Sequence, residues 1–385
     1  MIDTIVLTLK GGMFTILDRD KFTPSANSLY DYAGGFGGRS FMKCTQNPTV
    51  SELKRGIYKP RLTLTKRVNR QGGIDIPLKI EFSAPKMLFG NNFDELTDKD
   101  FPSLATKLNT TLKQMGVFVL ENNLINAPYS AIHFSKNIPL TDYTTSYTYM
   151  KQFTKLNINK KLDTNQSDYR NEGHCFKYRA NSFEIVFYDK VKDLQQAKVS
   201  EKRAIEKDNA LQLNLFEQNT MRKPFEVLRM EVRLGKRQKL KQILSTVGLS
   251  CEPTFKNLFS QEVAQKVLLH YITEIEDNYP PLLNYEYNTP EKFFTDFLIS
   301  NPDKRLSSAL KYLGMRILLD KLGVREFRQL IGNYSDNAWY SLNNDMKSLT
   351  QASKASTFSL LRDNITDYKP LKLVDFQSNM VNNVN

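Results

Sequence analysis

The stretch NSFEIVFYDK, residues 181–190, alternates between apolar and polar side chains and predicts a β-strand with one face toward a core. Phe183 and Phe187 mark the apolar face. Tyr188 and Lys190 share the opposite face, at the point where the strand ends. A tyrosine beside a lysine at the end of a strand is a candidate catalytic pair, because a nearby cation favours the deprotonated, nucleophilic form of a phenol.

Seven other runs of β-forming or alternating apolar residues occur in the first two-thirds of the chain, separated by turn signals such as NRQGG and NAP. Segments with helical spacing lie between them. This pattern predicts an α+β fold, with a catalytic domain at residues 1–247 built on a mixed or antiparallel β-sheet with flanking helices. The seven runs are MIDTIVLTL, RLTLTKR, IPLKIEFS, VFVLENN, YSAIHFS, FKYR and VLRMEVRL.

The chain becomes mainly helical after about Gly248, which predicts a second domain at residues 248–361. Within it, three successive helical segments lie between residues 306 and 349, and Gly323 can close the first of them. A helix-turn-helix DNA reader has this form, and so does an ordinary three-helix packing unit. The polar residues 362–385 predict a frayed tail. Four basic residues near the second of the three helices are candidate DNA contacts: Arg316, Lys321, Arg325 and Arg328.

The net charge favours a polyanionic partner. The 385 residues include 54 Lys and Arg against 41 Asp and Glu, a formal charge of +13. Binding of such a chain to nucleic acid gains free energy from counterion release.

The cysteines and the hydropathy pattern exclude several classes of protein. Three widely spaced cysteines offer neither a disulfide framework nor a CxxC zinc pattern. The first residues, MIDTIVLTLK, lack the basic start and apolar core of a signal peptide, and no run reaches the ~18 apolar residues of a membrane span. These features predict a cytoplasmic protein without a membrane partner.

Three ionisable residues interrupt otherwise apolar strands: Glu81 in LKIEFS, His133 in AIHFS and Glu231 in VLRMEVRL. An acid inside a core strand needs a partner, because burying an unpaired charge costs several kcal/mol. Two carboxylates and an imidazole suit Mg²⁺ or Mn²⁺. The alternative is that these residues only occupy the solvated face of the sheet.

Basic residues also occur within the predicted strands. In KPRLTLTKR, Arg61 and Arg67 share one strand face with threonine hydroxyls between them, a pattern suited to phosphate contacts, and Lys66 adds charge. Arg229 and Arg233 flank Glu231 in a second basic segment. We predict that these five residues bind DNA, although each segment is equally compatible with a solvated surface.

Taken in order, several stretches resemble the replication proteins of the filamentous-phage gene II/X type, and more distantly plasmid Rep proteins that initiate rolling-circle replication. The resemblance spreads over roughly residues 1–345, with long unmatched spacers. The stretches that carry it are MIDTIVLTL, LKIEFSAPKMLFGNN, SAIHFSKN, FEIVFYDKVKDLQ, VLRMEVRL, ALKYLGMRILLDKLGVREFRQL and NAWYSLNNDM.

The resemblance implies an enzyme that nicks and rejoins DNA at a replication origin. Tyr188 matches the tyrosine expected to form a 5′-phosphotyrosine bond, which frees a 3′-OH to prime synthesis. Glu81 and Glu231 match acidic ligands of Mg²⁺ or Mn²⁺, whereas His133 stands where the family pattern has an aspartate. The implied partners are supercoiled or single-stranded origin DNA, a host helicase and polymerase, and a second copy of the chain, in the cytoplasm of a bacterial host.

A second class of function fits the same sequence. A non-catalytic DNA-binding protein would recognise an origin or operator through its C-terminal helices, and Tyr188, Glu81 and Glu231 would then serve only the fold. An RNA-binding protein is disfavoured, since the stacked-aromatic pattern of an RNP motif is absent from the sequence.

Overall fold

The computed structural model describes residues 1–30, 41–49, 51–52, 55–68, 73–156, 168–170, 175–199, 226–284, 289–333, 335, 337–349 and 357–375. Within these ranges an antiparallel sheet dominates the N-terminal part and helices the C-terminal part, so the predicted α+β fold is confirmed. The strands are Ile2–Leu9 (β1), Phe14–Ile16 (β2), Phe41–Gln46 (β3), Arg61–Val68 (β4), Ile74–Asp75 (β5), Leu78–Ser83 (β6), Val117–Val119 (β7), Tyr129–Leu140 (β8), Asp168–Arg170 (β9), Cys175–Ala180 (β10), Phe183–Asp189 (β11) and Glu226–Leu234 (β12).

Ten of these strands form one sheet in the order β3-β4-β6-β1-β8-β12-β11-β10-β9, with β5 beside β4. Every neighbouring pair in this sheet is antiparallel. Strands β2 and β7 form a separate two-stranded sheet. The long strands β8 and β12 lie at the centre of the large sheet, so side chains on them are supported from both sides.

Helices occur between the strands and make up most of the chain after β12. No helix of the described ranges has both the length and the apolar character needed to cross a membrane. The helices are Asn27–Tyr30 (α1), Ala84–Phe89 (α2), Phe101–Gln114 (α3), Glu121–Ile125 (α4), Ser146–Phe153 (α5), Lys190–Val199 (α6), Arg237–Thr246 (α7), Phe255–Leu258 (α8), Gln261–Asp277 (α9), Pro290–Ser300 (α10), Leu306–Gly332 (α11), Ala338–Lys347 (α12) and Ser359–Asp367 (α13), with 3-10 turns at Asp98–Asp100 and Pro281–Asn284.

The large sheet has one apolar and one polar face, as the alternation in residues 181–190 predicts. Phe187 lies opposite Met230 of β12, and both side chains are buried in the main core. Tyr188 lies opposite Arg229 and faces the other way. The core therefore fixes β11 and β12 in place and leaves their alternate residues for a site on the polar face.

Helices from both predicted domains cover the apolar face. Phe153 of α5 stacks on Phe187 with ring centroids 4.0 Å apart, and Tyr271 of α9 lies 5.5 Å from Phe183. One hydrophobic core runs through the sheet and the C-terminal helices. The domain boundary predicted at residue 247 therefore does not coincide with a break in the core, because α9 and α13 pack directly on β8.

Two features of the C-terminal part bear on the predictions made there. Gly323 breaks α11 with a φ of 73°, a left-handed conformation that favours glycine, so the predicted helix end is confirmed. A Cβ at this position would lie 3.3 Å from the carbonyl oxygen of Thr154. The predicted start of the polar tail, residue 362, is too early, because α13 extends to Asp367 and both Leu371 and Leu373 pack against the protein.

Candidate active site

Tyr188 and Glu231 meet on the polar face of the sheet. Tyr188 of β11 pairs with Arg229 of β12, and Glu231 follows two residues later on the same face. The two side chains are diagonal cross-strand neighbours, which places them within reach of each other. The Tyr188 hydroxyl donates a hydrogen bond to Glu231 Oε1 at 2.6 Å. The structure thus brings the predicted nucleophile into contact with one predicted metal ligand.

Arg229 is buried beneath this pair, with only 2% of its side chain exposed. Its Nε lies 3.0 Å from Glu231 Oε1, and its Nη2 lies 3.0 Å from Asp3 Oδ1. A guanidinium held by so many acceptors orients the carboxylates and is not presented to DNA, which corrects the predicted role of Arg229. Its other acceptors are the Asn92 carbonyl oxygen at 2.8 Å, Asn137 Oδ1 at 3.2 Å and Ser135 Oγ at 3.1 Å.

Arg233 binds the second carboxylate oxygen of Glu231. Its Nε and Nη2 donate to Glu231 Oε2 at 2.9 and 2.7 Å, and its Nη1 lies 3.5 Å from Glu184 Oε2. Burial alone raises the pKa of Glu231, but the charges of Arg233 and Arg229 outweigh it and hold that pKa well below its usual range. Glu231 therefore accepts the hydrogen bond of the Tyr188 hydroxyl as a carboxylate.

Tyr188 and Lys190 have opposite pKa behaviour. Burial and the negative charge of Glu231 raise the pKa of Tyr188 well above its usual value, so its hydroxyl is protonated. Lys190 is fully buried, donates to Asn92 Oδ1 at 2.8 Å and lies 5.8 Å from the centre of the Tyr188 ring. Burial, assisted by the charge of Arg229, lowers the pKa of Lys190 to about 7. The neutral and protonated forms of the Lys190 amine are therefore both populated near neutral pH.

A cluster of potential metal ligands adjoins the pair. Asp3, His133 and Glu231 each place one ligand atom within 4.8 Å of the others. Burial and the charge of Arg233 lower the pKa of His133, which keeps its imidazole neutral and able to coordinate a cation. Two of the three predicted ligands are thus brought together, and a carboxylate from β1 completes the group.

Asp3 is not among the residues that the sequence singles out, although the signal is present. It is an acid inside the strand-like run MIDTIVLTL, the same signal that selects Glu81. A β-bulge between Ile2 and Ile5 interrupts the pairing of β1 with β8 around it. Only that pairing, which is not visible in the sequence, brings Asp3 beside His133.

Glu81 lies away from the cluster, which corrects its predicted role as a ligand. It lies on β6, separated from β12 by β1 and β8, or about 14 Å at the usual strand spacing. Its Oε2 is 2.8 Å from Lys79 Nζ, and its side chain is 39% exposed. The simpler alternative, an acid on the solvated face of the sheet, is the one that its position fits.

The donor set fits a divalent cation in its chemistry and in one further observation. Two carboxylates and a neutral imidazole are suited to Mn²⁺ or Mg²⁺. Asp3 Oδ1 is buried and accepts no well-directed hydrogen bond, although Arg229 Nη2 lies 3.0 Å away. Glu231, by contrast, is already bound by two arginines. A cation at this cluster would therefore share both carboxylates with guanidiniums, Asp3 with Arg229 and Glu231 with Arg229 and Arg233, and His133 would supply its neutral imidazole.

The basic residues of β4 divide between the two faces of the sheet. Arg61 and Arg67 lie on the polar face, in register with Glu81 and Asp75 of the neighbouring strands. Lys66 points the other way and is 2% exposed, since it occupies the strand face that carries Leu62 and Leu64. The prediction that Lys66 binds DNA is therefore corrected by the parity of the strand.

The four basic candidates of α11 also differ in exposure. Lys321 and Arg325 are exposed, and Arg328 lies against the ring of Tyr340 with its guanidinium carbon 5.6 Å from the ring centre. Arg316 is buried, with its Nη1 3.5 Å from Asp320 Oδ1, which also pairs with Lys155. Asp320 thus joins α11 to Lys155, just after α5, and Arg316 supports it from within the helix, so of these four residues only the other three present charge to a partner.

Comparison of the chain with models of known families, with curated proteins and with solved structures finds no match. Function is therefore inferred from the geometry around Tyr188. Tyr149 and Tyr178, by contrast, are buried in the main core, away from the polar face.

Proposed function

We propose that the protein nicks and rejoins one strand of DNA through a covalent bond between Tyr188 and a 5′-phosphate, in a metal-dependent reaction that initiates rolling-circle replication. The observation that carries this proposal is the position of the Tyr188 hydroxyl, hydrogen-bonded to Glu231 next to the Asp3–His133–Glu231 cluster. The net charge of +13 and the resemblance to gene II/X replication proteins support DNA as the substrate.

The reaction follows from the geometry as an exchange of phosphodiester bonds. Tyr188 Oη attacks the phosphorus, an Oη–P bond forms, and the bond from phosphorus to the 3′-oxygen breaks. The 3′-oxygen takes up a proton and leaves as a 3′-OH. The number of phosphoester bonds is unchanged, so attack by a 3′-OH on the phosphotyrosine rejoins the strand.

The phenolic proton needs an acceptor, and we assign that role to Lys190, whose Nζ lies 5.8 Å from the centre of the Tyr188 ring, in preference to Glu231. Glu231 orients the hydroxyl but is a weak base, because two guanidiniums lower its pKa. The pKa of Lys190 is about 7, so its neutral amine is available at physiological pH. A cation held by Asp3, His133 and Glu231 would stabilise charge on the non-bridging phosphate oxygens.

The part of the polar face near β4 is suited to hold the substrate strand. Arg61 and Arg67 lie there with Thr63 and Thr65 between them, and Lys43 of β3 lies opposite Thr65. Guanidinium, ammonium and hydroxyl donors on one face match the phosphates of a DNA backbone. From β4 to β11 the face spans five strand intervals, or about 24 Å, long enough for several nucleotides.

The contribution of this surface is measurable from the salt dependence of DNA binding. We expect Arg61→Ala/Arg67→Ala to reduce the slope of log Kobs against log salt by about 2, one for each DNA phosphate that an arginine no longer neutralises. Lys256→Ala, which removes an exposed lysine of α8, is the matched control and should leave the slope unchanged. Equal slopes for all three proteins would exclude β4 from the DNA-binding surface.

The test of the proposal is a nicking assay on supercoiled DNA carrying the origin of the same replicon, with Mn²⁺, Mg²⁺ or EDTA. We expect a metal-dependent nick and a DNA-linked peptide that contains Tyr188. Asp3→Asn should raise the metal concentration needed for half-maximal nicking about 10- to 100-fold, since it removes a ligand. Glu81→Gln, at the position outside the cluster, should behave as wild type. Specific binding without a nick under any metal would reject the proposal.

A second candidate is a non-catalytic DNA-binding protein acting at an origin or operator. The saturation of Glu231 by Arg229 and Arg233 favours it, because such a network also stabilises a fold without performing chemistry. Under this alternative, Lys321, Arg325 and Arg328 of α11 and its neighbouring helices read the DNA.

A further inference from the structure

A loop next to the active site supplies partners for both of its buried cations. Asn92 accepts a hydrogen bond from Arg229 with its carbonyl oxygen and one from Lys190 with its Oδ1, both at 2.8 Å. The loop is shaped locally by Asn91, whose Oδ1 accepts from the backbone N–H groups of Phe93 and Asp94 at 2.9 Å. We call residues 91–95 the asparagine loop.

The segment that follows α13 binds this loop along its length. The Leu371 N–H donates to Glu95 Oε2 at 2.8 Å, and the Leu373 N–H donates to Asp94 Oδ1 at 2.6 Å. Lys372 Nζ donates to the Glu95 carbonyl oxygen at 2.7 Å. We call residues 368–375 the C-terminal strap. Its hydrogen bonds reach the backbone and the charged side chains of the loop, so they fix the loop in one position.

Apolar packing joins the strap to the helix that carries Lys190. A small hydrophobic cluster contains Leu373 of the strap, Phe93 of the asparagine loop, Val191 and Leu194 of α6, and Val227 of β12. This cluster is separate from the main core. Helix α6 begins at Lys190, immediately after the strand that carries Tyr188. The strap therefore touches both elements that determine where the Lys190 ammonium lies.

We propose that the C-terminal strap is a positioning element of the Tyr188 site, which holds the asparagine loop against α6 so that Asn92 keeps Lys190 and Arg229 in place. In this view the strap acts through Asn92 and does not touch the substrate. The catalytic consequence rests on the function proposed above. The structural consequence, protection of Lys190, can be measured without any activity.

The test uses the full chain with the strap weakened in three side chains, Leu371→Ala/Lys372→Ala/Leu373→Ala. These changes remove the apolar packing of the strap and the hydrogen bond from Lys372 Nζ to the Glu95 carbonyl oxygen. The backbone N–H groups of the strap can still donate to the loop. Asp375→Asn is the matched control, because Asp375 lies in the strap and its hydrogen bond, at 3.2 Å, comes from the Lys372 N–H within the strap itself. The conservative variant Leu371→Met/Lys372→Arg/Leu373→Met should restore wild-type behaviour.

Two readouts are needed, reductive methylation of Lys190 followed by mass spectrometry and the rate of nicking at saturating DNA. We expect Lys190 to be protected in wild type and in Asp375→Asn, and labelled at a rate approaching that of the exposed Lys256 in the triple alanine variant. We expect kcat for nicking to fall about 10- to 100-fold in that variant, with DNA affinity unchanged, because a displacement of about 1 Å has this effect on an oriented site.

The two readouts test the role of the strap and the proposed function separately. Continued protection of Lys190 in a folded triple variant would overturn the role of the strap, and so would full labelling with an unchanged kcat. Absence of nicking by the wild-type protein would reject the proposed function, while the labelling would still decide whether the strap positions Lys190.

Discussion

Under the proposed function we expect the replacement of Tyr188 by phenylalanine to abolish the covalent protein–DNA adduct and to lower nicking by a factor on the order of 10⁴ or more, the loss that follows removal of a nucleophile. The substitution removes one hydroxyl and leaves Glu231 bound by Arg229 and Arg233. We therefore expect the free energy of unfolding to change by no more than about 1 kcal/mol, the usual worth of one hydrogen bond. DNA affinity should be unchanged, since Arg61 and Arg67 are intact.

The measurement is a denaturing gel for the adduct together with a binding titration on the same DNA. Tyr178→Phe is the matched control, because Tyr178 is buried in the main core. It should retain the adduct and the nicking rate. An adduct that persists in Tyr188→Phe would place the nucleophile on another residue, and loss of affinity without loss of nicking would contradict the division between site and binding surface.

Replacing Glu95 by glutamine lowers the free energy of unfolding by about 3–5 kcal/mol, the cost of leaving one partner of a buried ion pair without its counter-charge. Glu95 and Lys136 are 4% and 2% exposed, and their charged atoms are 2.6 Å apart. Both carboxylate oxygens accept hydrogen bonds, Oε1 from the Asn137 N–H at 2.7 Å and Oε2 from the Leu371 N–H at 2.8 Å. Either orientation of a glutamine amide would therefore set a donor against a donor.

Denaturant unfolding of the two proteins at several pH values checks this prediction. Burial raises the pKa of Glu95, but the charges of Lys136 and the N-terminal amine outweigh it and place the pKa below its usual value. A depressed carboxyl pKa contributes stability above the unfolded value of about 4.3 and loses it as the pH falls. The difference between wild type and Glu95→Gln should therefore be full at pH 7 and shrink below about pH 4.

Glu252→Gln provides the control for burial. Glu252 is 67% exposed, and its Oε1 lies 3.1 Å from Lys241 Nζ, so the loss of this pair should cost less than about 1 kcal/mol. Equal effects of the two substitutions would contradict the view that burial makes the Glu95 pair important.

The apolar face of the sheet was predictable because the strand signal is local. The alternation in residues 181–190 predicts which side chains of β11 enter the core, and Phe187 and Tyr188 lie on the expected faces. The helix end at Gly323 was predictable for the same reason, since a glycine after an apolar helical run is a local stop signal.

The metal cluster was only partly predictable, because it depends on strand order. Asp3 and Glu81 give the same local signal, an acid in an apolar strand. The order β6-β1-β8-β12 places one of them beside His133 and the other about 14 Å from Glu231. No periodicity in the sequence encodes that order. The strap was missed for a related reason, since its contacts are backbone hydrogen bonds to a loop about 275 residues earlier in the chain.

The two faces of β12 are under different constraints during evolution. Leu228, Met230 and Val232 hold the fold, and the residues between them, Arg229, Glu231 and Arg233, hold the charges. Descendants that keep the three apolar residues keep the fold, while the three charged residues are free to change. Substitutions that alter the charge of the polar face are therefore expected at alternate positions of β12, where they leave the core packing unchanged.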